Sequence, residues 1–304
     1  MPQPFVSVII LNYQSAHHTL ACVRSIREKT LRVSYEIIVV DNHSAPEDYQ
    51  KLETLSAYPE VKVVRSRINT GFSGGNMFGL QFADPSARYY FFLNNDCELR
   101  TDVCSQLTDY LEAHPEAGIA TAQMFNGEGE LTPSFSYFPT LGVNLLGHGL
   151  LRMLSPADYP PRRQYEQPVR VPVVTGSAMF VRAEAFNAVG GLDTTYFLYC
   201  EEEDLCQRLR QRGWSAVLVP QAQYTHYMGK STVRNLLIEQ EFYISLFLYF
   251  HKYRSPLERP LLRLFYFIKN VRKFYRNRLY ARLGWFILRG SPVRDSLRYR
   301  QTLS

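Results

Sequence analysis

Four short apolar runs govern what this chain can fold into. VSVIIL (Val6 to Leu11), EIIVV (Glu36 to Val40), VKVV (Val61 to Val64) and YYFFL (Tyr89 to Leu93) are rich in β-branched and aromatic residues. They recur roughly every 25 to 30 residues, with helix-like segments between them, which is the spacing of β-α-β units in a parallel sheet. Runs without polar alternation suit strands buried on both faces. The intervening helices read in the same way. His18 to Lys29 carries Leu20, Val23 and Ile26 on one side, and Ser44 stands as a cap ahead of Pro46 in a first turn.

Each apolar run ends abruptly on polar residues: Asn12 after the first, Asp41 and Asn42 after the second, and Asn94, Asn95 and Asp96 after the fourth. In open α/β sheets ligands bind beyond the carboxyl ends of the strands, so these residues mark one edge as a candidate binding crevice. Taken singly, each also serves as an ordinary turn former. No GxGxxG follows the first run, which argues against a nicotinamide dinucleotide site. Glycines gather instead in NTGFSGGNMFG (Asn69 to Gly79) ahead of a helix running towards Phe82. Such a loop lets backbone N–H groups approach a phosphate or sugar, or serves a tight turn and close helix packing.

At 304 residues, 46% hydrophobic and 20% charged, the chain has the material for one sizeable core or two modest ones. Its net charge of +6 conceals an asymmetry: residues 251–304 hold 14 Lys and Arg against Glu258 and Asp295, a balance of +12, leaving −6 for the first 250. A basic, aromatic tail on a mildly acidic body points to an anionic surface. The five cysteines form no CxxC pair, which fits a reducing cytosol better than a disulfide framework. The first residues enter a strand pattern without a basic leader, so no signal peptide is expected. The longest apolar run, Phe242 to Phe250, is too short to span a bilayer as a helix.

The succession VSVIILNYQS, EIIVVDNHS, NTGFSGGNMFG, YYFFLNND, TGSAMFVRAEAF, VGGLDTTYFLYCEEEDLCQRLRQRGW and HYMGKS resembles glycosyltransferase family 2, especially its rhamnosyltransferase-like branch. The likeness runs from Val6 to about Ser231. It implies a GT-A nucleotide-diphosphate-sugar fold, with a mostly parallel mixed sheet flanked by helices, and inverting sugar transfer. It divides residues 1–235 into a donor half, about 1–100, and an acceptor half, about 101–235, with a helical basic tail at 236–304. By the same resemblance Asp41, Asn69, Gly71 and Asn76 line the donor pocket beside the strand-end Asn12, Asn42 and Asn95, and Thr175 and Gly176 lie near the donor sugar. NND stands where relatives often carry an Asp-x-Asp metal motif. His226 matches a position where some present a metal-binding histidine, although a lone histidine also serves as a hydrogen-bonded structural residue.

The chemistry follows from the reaction. A nucleoside diphosphate leaving an anomeric carbon gathers negative charge, which a divalent cation stabilises. Hard oxygen ligands suit that ion, and Asp96 offers one. Alternation along an extended segment lets Asn94 and Asp96 face the same ion while Asn95 faces elsewhere. One carboxylate and one amide bind Mg²⁺ weakly without donor phosphates, and a nitrogen ligand from His226 favours Mn²⁺. The attacking hydroxyl needs a base. EEED (Glu201 to Asp204) supplies four acids, although acids also gather in first helical turns for dipole reasons. The resemblance selects Glu202 as that base, with Glu201 the neighbouring alternative. Asp193 in GGLD is a candidate for acceptor contact or a plain turn residue. Arg208 and Trp214 read as packing and ion-pair residues, and Cys97 and Cys200 as small buried hydrophobes.

Residues from about Phe125 to Arg170 show few periodic signals and read as an acceptor-side excursion or a surface loop. VPVVTGSAMFVR then resumes a strand pattern. In the tail, Leu261, Leu264, Phe265, Ile268, Val271 and Tyr275 recur at helical spacing among Arg263, Lys269, Arg272, Lys273 and Arg276. Such a helix lies in a bilayer interface or packs on protein. No RNA-recognition signature accompanies it, so a nucleic-acid partner is not expected. The enzyme reading is a metal-dependent transferase, peripheral on the inner face of the cell membrane. It moves rhamnose, or alternatively galactofuranose or a hexose, to a lipid-linked or oligosaccharide acceptor for cell-surface polysaccharide. The rival is a non-catalytic nucleotide or polyanion binder.

Overall fold

The computed structural model describes residues 5–227, 235–273, 275 and 278–301. Lys230 and Ser231 of HYMGKS, and Arg276 of the tail, lie outside them. The first part alternates as expected: β1 (Val6–Asn12), α1 (Ala16–Lys29), β2 (Tyr35–Asp41), α2 (Pro46–Leu52), β3 (Val61–Arg65), α3 (Gly71–Leu80), β4 (Tyr89–Asn94). Then come β5 (Cys97–Leu99), α4 (Val103–Ala113), β6 (Ala117–Phe125), β7 (Phe135–Ser136), α5 (Leu141–Leu154), β8 (Val169–Val171), β9 (Val173–Val174) and β10 (Ala178–Arg182). The chain continues through α6 (Ala183–Ala188), α7 (Glu201–Gln211), β11 (Ser215–His226), α8 (Leu236–Tyr253), α9 (Glu258–Val271) and α10 (Leu279–Leu288).

The principal sheet runs β3-β2-β1-β4-β10-β6-β11-β5, with β8 paired to β11. β3, β2, β1 and β4 are mutually parallel, and β6 is parallel to β11; β10 is antiparallel to β4 and β6, and β5 and β8 to β11. β1 sits between β2 and β4, so the chain reverses direction across the sheet there, and a crevice opens where the flanking loops part. The sheet is buried on both faces, as its continuous apolar runs require. Val8, Ile10 and Phe91 pack with α1 and α4 on one side, and Ile9, Phe92 and Met179 with α7 and α8 on the other.

Local detail departs from expectation in four places. Helix α1 begins at Ala16, two residues before His18, and His18 is half-buried with its ring 6.3 Å from that of Tyr227. Ala45, not Ser44, precedes α2, although Pro46 does open it. The Ser44 hydroxyl instead accepts from the Gln14 N–H (2.9 Å) and the Asn12 amide (3.1 Å), tying two strand ends together. The excursion contains a helix, α5, that the sequence hid, because Gly147 at φ 75° breaks its period. Finally, the apolar run Phe242 to Phe250 is core. Tyr249 and Phe250 of α8 are fully buried in the cluster that holds Ile9, so the amphipathic surface begins only at α9. Among the described residues, no helix is long and apolar enough to cross a membrane.

Candidate active site

The polar residues that end β1 and β2 form a closed web. Asn12, fully buried, donates to Asp41 Oδ1 (3.1 Å), Ser44 Oγ (3.1 Å) and Asp48 Oδ2 (3.0 Å), and accepts from Thr19 (2.7 Å). Asp41, also buried, faces Arg65 Nε at 3.1 Å and accepts from the Ser44 N–H. Asn42 donates to Asn69 Oδ1 and the Gly71 carbonyl and accepts from both the N–H and the hydroxyl of Thr70. Asn95 turns inward, donating to Ser15 Oγ (2.6 Å) and Thr19 Oγ1 (2.9 Å). Asn76 donates to the Phe72 carbonyl. Burial without partners would be costly for every one of these groups, and together they leave little polar capacity unused.

The glycines of NTGFSGG divide between two jobs. Gly71 opens α3 at φ 75°, and a Cβ there would sit 2.1 Å from the Phe197 carbonyl. That carbonyl accepts from the Phe72 N–H at 2.7 Å, so the glycine clasps the start of α3 to the segment leading into α7. Gly75 and Gly79 lie inside the helix and let it settle against Leu11 and Val40 of the sheet. Close packing accounts for these two, and only the first turn of α3 remains near the strand ends.

A second constellation lies beyond β4. The chain turns at Asn95 and Asp96 before β5, so the extended alternation expected to set Asn94 beside Asp96 does not continue past Asn94. The neighbour of Asp96 is His226, delivered by the antiparallel pairing of β11 with β5, which places His226 opposite Cys97. Asp96 Oδ1 lies 3.1 Å from His226 Nε2. The far ring nitrogen, His226 Nδ1, is buried and among the described residues has no hydrogen-bond partner. Burial pushes the Asp96 carboxyl up, but the His226 ring beside it outweighs that and holds it below the usual carboxylate range. Among the described residues, Asp96, His226 and Cys97 bring ligand atoms within 4.8 Å of one another. The Cys97 thiol donates weakly to the Ser177 carbonyl (3.6 Å), and burial pushes its pKa well up, so it is a protonated neighbour rather than a ready ligand. The Asp96 carboxylate and the His226 imidazole, an oxygen and a nitrogen donor set side by side, fit a divalent cation with coordination positions left for other ligands.

The acids of α7 face the same place. Tyr199 and Cys200, immediately before the helix, both adopt positive φ (75° and 66°), a strained pair for residues with side chains. Each costs about 1 kcal/mol or more and persists only where surrounding structure imposes it. Gln14 and His43, just past β1 and β2, share this conformation. Glu202 is half-buried, and a Cβ on Gly176 would lie 3.2 Å from its Oε1, so a side chain there would displace the carboxylate. Burial pushes the Glu202 carboxyl up, opposed by hydrogen bonds from its own N–H, Glu203 and the Gly176 N–H. Burial and the charge of Glu202 push Glu203 well up, and Glu203 Oε1 accepts weakly from Ser136 (3.4 Å). Glu201 is buried more deeply, on the α8 side near Glu241, with no hydrogen-bond partner for Oε2 among the described residues; burial and the Glu202 charge push it well up. Asp204 is structural. It binds Arg208 Nε (2.7 Å), Tyr253 (2.8 Å) and Lys252.

One strip joins the two constellations. Thr175, half-buried, shares a hydrogen bond with Ser177 (3.2 Å); the Ser177 carbonyl accepts from the Asn94 N–H (2.9 Å) as well as from Cys97; Gly176 touches Glu202. Asp193 behaves as the turn residue that was its alternative reading. One of its oxygens accepts from the Thr195 N–H and hydroxyl, and the other pairs with Lys252 at 2.7 Å. The backbone strain at Tyr199–Cys200 and the contribution of Ser177 have no local signal in sequence, because both arise from tertiary packing.

Comparison with known proteins shows the family and the fold. The family model for glycosyl transferase family 2 matches residues 7–190, more than half of the chain. An N-acetylglucosaminyl-diphospho-decaprenol L-rhamnosyltransferase of Mycobacterium tuberculosis is 28% identical over 243 residues, covering 75% of this chain and 78% of that protein. The rhamnosyltransferase WbbL of Escherichia coli is 30% identical over 164 residues, 52% of this chain and 61% of that protein. Among solved structures, GalNAc-T7 with UDP, GalNAc and Mn²⁺ superposes with a TM-score of 0.65 at 14% identity, covering 95% of this chain and 56% of that one. The mannosyltransferase PcManGT of Pyrobaculum calidifontis with GDP-Man and Mn²⁺ gives 0.58 at 15% identity, covering 95% of this chain and 75% of that one.

Proposed function

The chain belongs to glycosyltransferase family 2 and has the GT-A fold, and from that premise we propose that it moves rhamnose from a nucleoside-diphosphate donor to a lipid-linked saccharide, with inversion, on the inner face of the cell membrane. The observation that carries this reading is the Thr175–Gly176–Ser177 strip, which connects the Asp96–His226 pair, through the Cys97 thiol, to the carboxylate of Glu202.

Asp96 and His226 would hold Mn²⁺ or Mg²⁺, whose chemistry is to absorb negative charge on the departing diphosphate. The web around Asn12, Asp41 and Asn42 fixes the loops that receive the nucleotide, and Asn69 and the first turn of α3 line that pocket. Glu202 accepts the proton of the attacking hydroxyl. Of the two candidate bases it is the more accessible, and its raised affinity for protons suits the task at neutral pH. Burial and the charge of Glu202 favour the protonated forms of Glu203 and Glu201 beside it, which lowers the local charge. Rhamnose is favoured by the resemblance to rhamnosyltransferases, and the lipid-linked acceptor by the decaprenol-linked substrate in the name of the mycobacterial relative. The tail supplies attachment to an anionic membrane surface. A panel of nucleotide sugars scored by thermal shift with Mn²⁺ tests the donor, since a ligand that binds only the folded chain raises its melting temperature. The largest shift is expected for dTDP-rhamnose, and equal shifts for every sugar would remove that assignment.

A further inference from the structure

We infer that α5, outside the basic tail, forms one continuous bilayer-contact face with α9, so that the catalytic body itself, and not only its tail, lies on the membrane. This rests on the membrane attachment proposed above and extends it to the acceptor side. The sequence of α5, LGVNLLGHGLLRML, carries a single charge, Arg152, and none of its residues is buried. Met153 is 81% exposed and Leu154 73%, with Leu145, Leu146 and Leu150 about half exposed. The two helical halves of α5 meet at the kink at Gly147, with Leu151 lying against Gly142, and their exposed leucines and methionine form an apolar surface that belongs against a protein core or lipid. The helix is nevertheless docked in place. It packs against α9, Tyr266 of α9 donates to Asn144, and Arg254 donates to the Pro139 carbonyl just ahead of it. On α9 itself, Leu262 and Tyr266 face inward, while Leu261, Leu264 and Ile268 face outward.

Charge complementarity selects an anionic bilayer as the occupant. Lys269, Arg272 and Lys273 rim the outward side of α9 around a cavity of about 420 Å³ that Phe265 and Ile268 also line. Trp285, 64% exposed on α10, adds an interfacial aromatic residue. Helices with this arrangement rest among headgroups and the first acyl carbons, their cations on lipid phosphates. The placement also has a consequence for the acceptor. Ser136, hydrogen-bonded to Glu203, precedes α5 by only five residues, a span of at most about 18 Å. A saccharide carried on a membrane lipid would thus present its first sugars within reach of the acids.

Sedimentation with phosphatidylcholine vesicles containing phosphatidylglycerol tests this on the full chain. Changing Leu146, Leu150 and Met153 together to Glu should lower the bound fraction at least tenfold, as should Leu261→Glu with Leu264→Glu, both sets being exposed and leaving the melting temperature unaltered. If the α9 pair abolishes binding while the α5 triple binds like the parent, the tail reading stands and this inference falls. If the parent itself fails to bind, both fall. A stable dimer in the absence of lipid that the α5 triple dissolves would identify a second copy as the occupant and overturn the proposal. As an independent readout, Met153→Trp should gain a blue-shifted emission and quenching by brominated lipid over the parent; emission unchanged by vesicles would count against lipid contact at α5.

Discussion

The two polar constellations at the sheet edge look alike in sequence and differ in how completely they are satisfied. At the ends of β1 and β2, Asn12, Asp41 and Asn42 direct nearly all their polar atoms at one another and at Ser44, Asp48, Arg65 and Thr70. Beyond β4 and at the start of α7, by contrast, His226 Nδ1 and Glu201 Oε2 are buried and, among the described residues, have no hydrogen-bond partners. A satisfied network fixes a shape, whereas a cluster of orphaned buried groups is held at an energetic penalty that a ligand or a proton relieves. Under the proposed function, the first constellation is scaffold for the donor pocket and the second is where chemistry would take place.

Glu202→Gln separates the two regions most sharply. Removing the proposed base while retaining shape and the Gly176 contact should lower turnover on the order of a thousandfold, with donor affinity within a fewfold of the parent. Near-normal turnover in a steady-state transfer assay would move the base to another group. Asp96→Asn should act next most strongly. It leaves an amide beside His226 and should cut turnover on the order of a hundredfold at fixed Mn²⁺, partly recovered by raising the metal concentration. If the loss were the same at every metal concentration, the Asp96–His226 pair would be structural, like the web around Asn12.

Asn42→Ala probes the other side of the comparison. Four hydrogen bonds would go, and Thr70, Asn69 and the Gly71 carbonyl would lose their partner. A destabilisation of about 3 kcal/mol follows, seen as a lower denaturation midpoint at unchanged m-value. Donor affinity should fall with it, because the loop that opens α3 loses its anchor. A variant as stable as the parent would show that the web is not what shapes the pocket.

How much of this was legible in the sequence depends on the range of the interaction. The four parallel strands were readable because burial on both faces leaves continuous apolar runs, and Pro46 marked the start of α2 because its fixed φ suits a first turn. The strand-end amides were correctly placed at one edge, but whether an Asn faces ligand or its neighbours depends on residues some 30 positions away, as Asn12 and Asp41 show. The link between Asp96 and His226 rests on a pairing across 130 residues, which resemblance suggested and local pattern could not supply. Helix α5 was missed because an apolar helix interrupted by glycine has neither period nor cap signals distinct from a loop. Local pattern could not separate Glu201 from Glu202, between which only the resemblance chose, because their difference in burial arises from where α8 packs.

That last distinction yields the smallest and most specific test. Glu201 and Glu202 are chemically identical neighbours, yet Glu201 is sealed on the α8 side and Glu202 opens towards the Thr175–Ser177 strip. Burial and the charge of Glu202 raise the Glu201 pKa well above its ordinary 4.5. A carboxyl raised in the folded chain binds its proton more tightly there than when unfolded. Its contribution is therefore complete below pH 4.5 and is lost as pH rises through the folded value. Glu201→Gln keeps the neutral, hydrogen-bonding form at every pH. It should raise the melting temperature on the order of 2 °C at pH 8, have almost no effect at pH 4.5, and leave turnover within a fewfold of the parent. A stability gain that does not grow with pH would mean that Glu201 is not the proton-holding member of the pair, and a turnover loss matching that of Glu202→Gln would make the two acids a single catalytic unit.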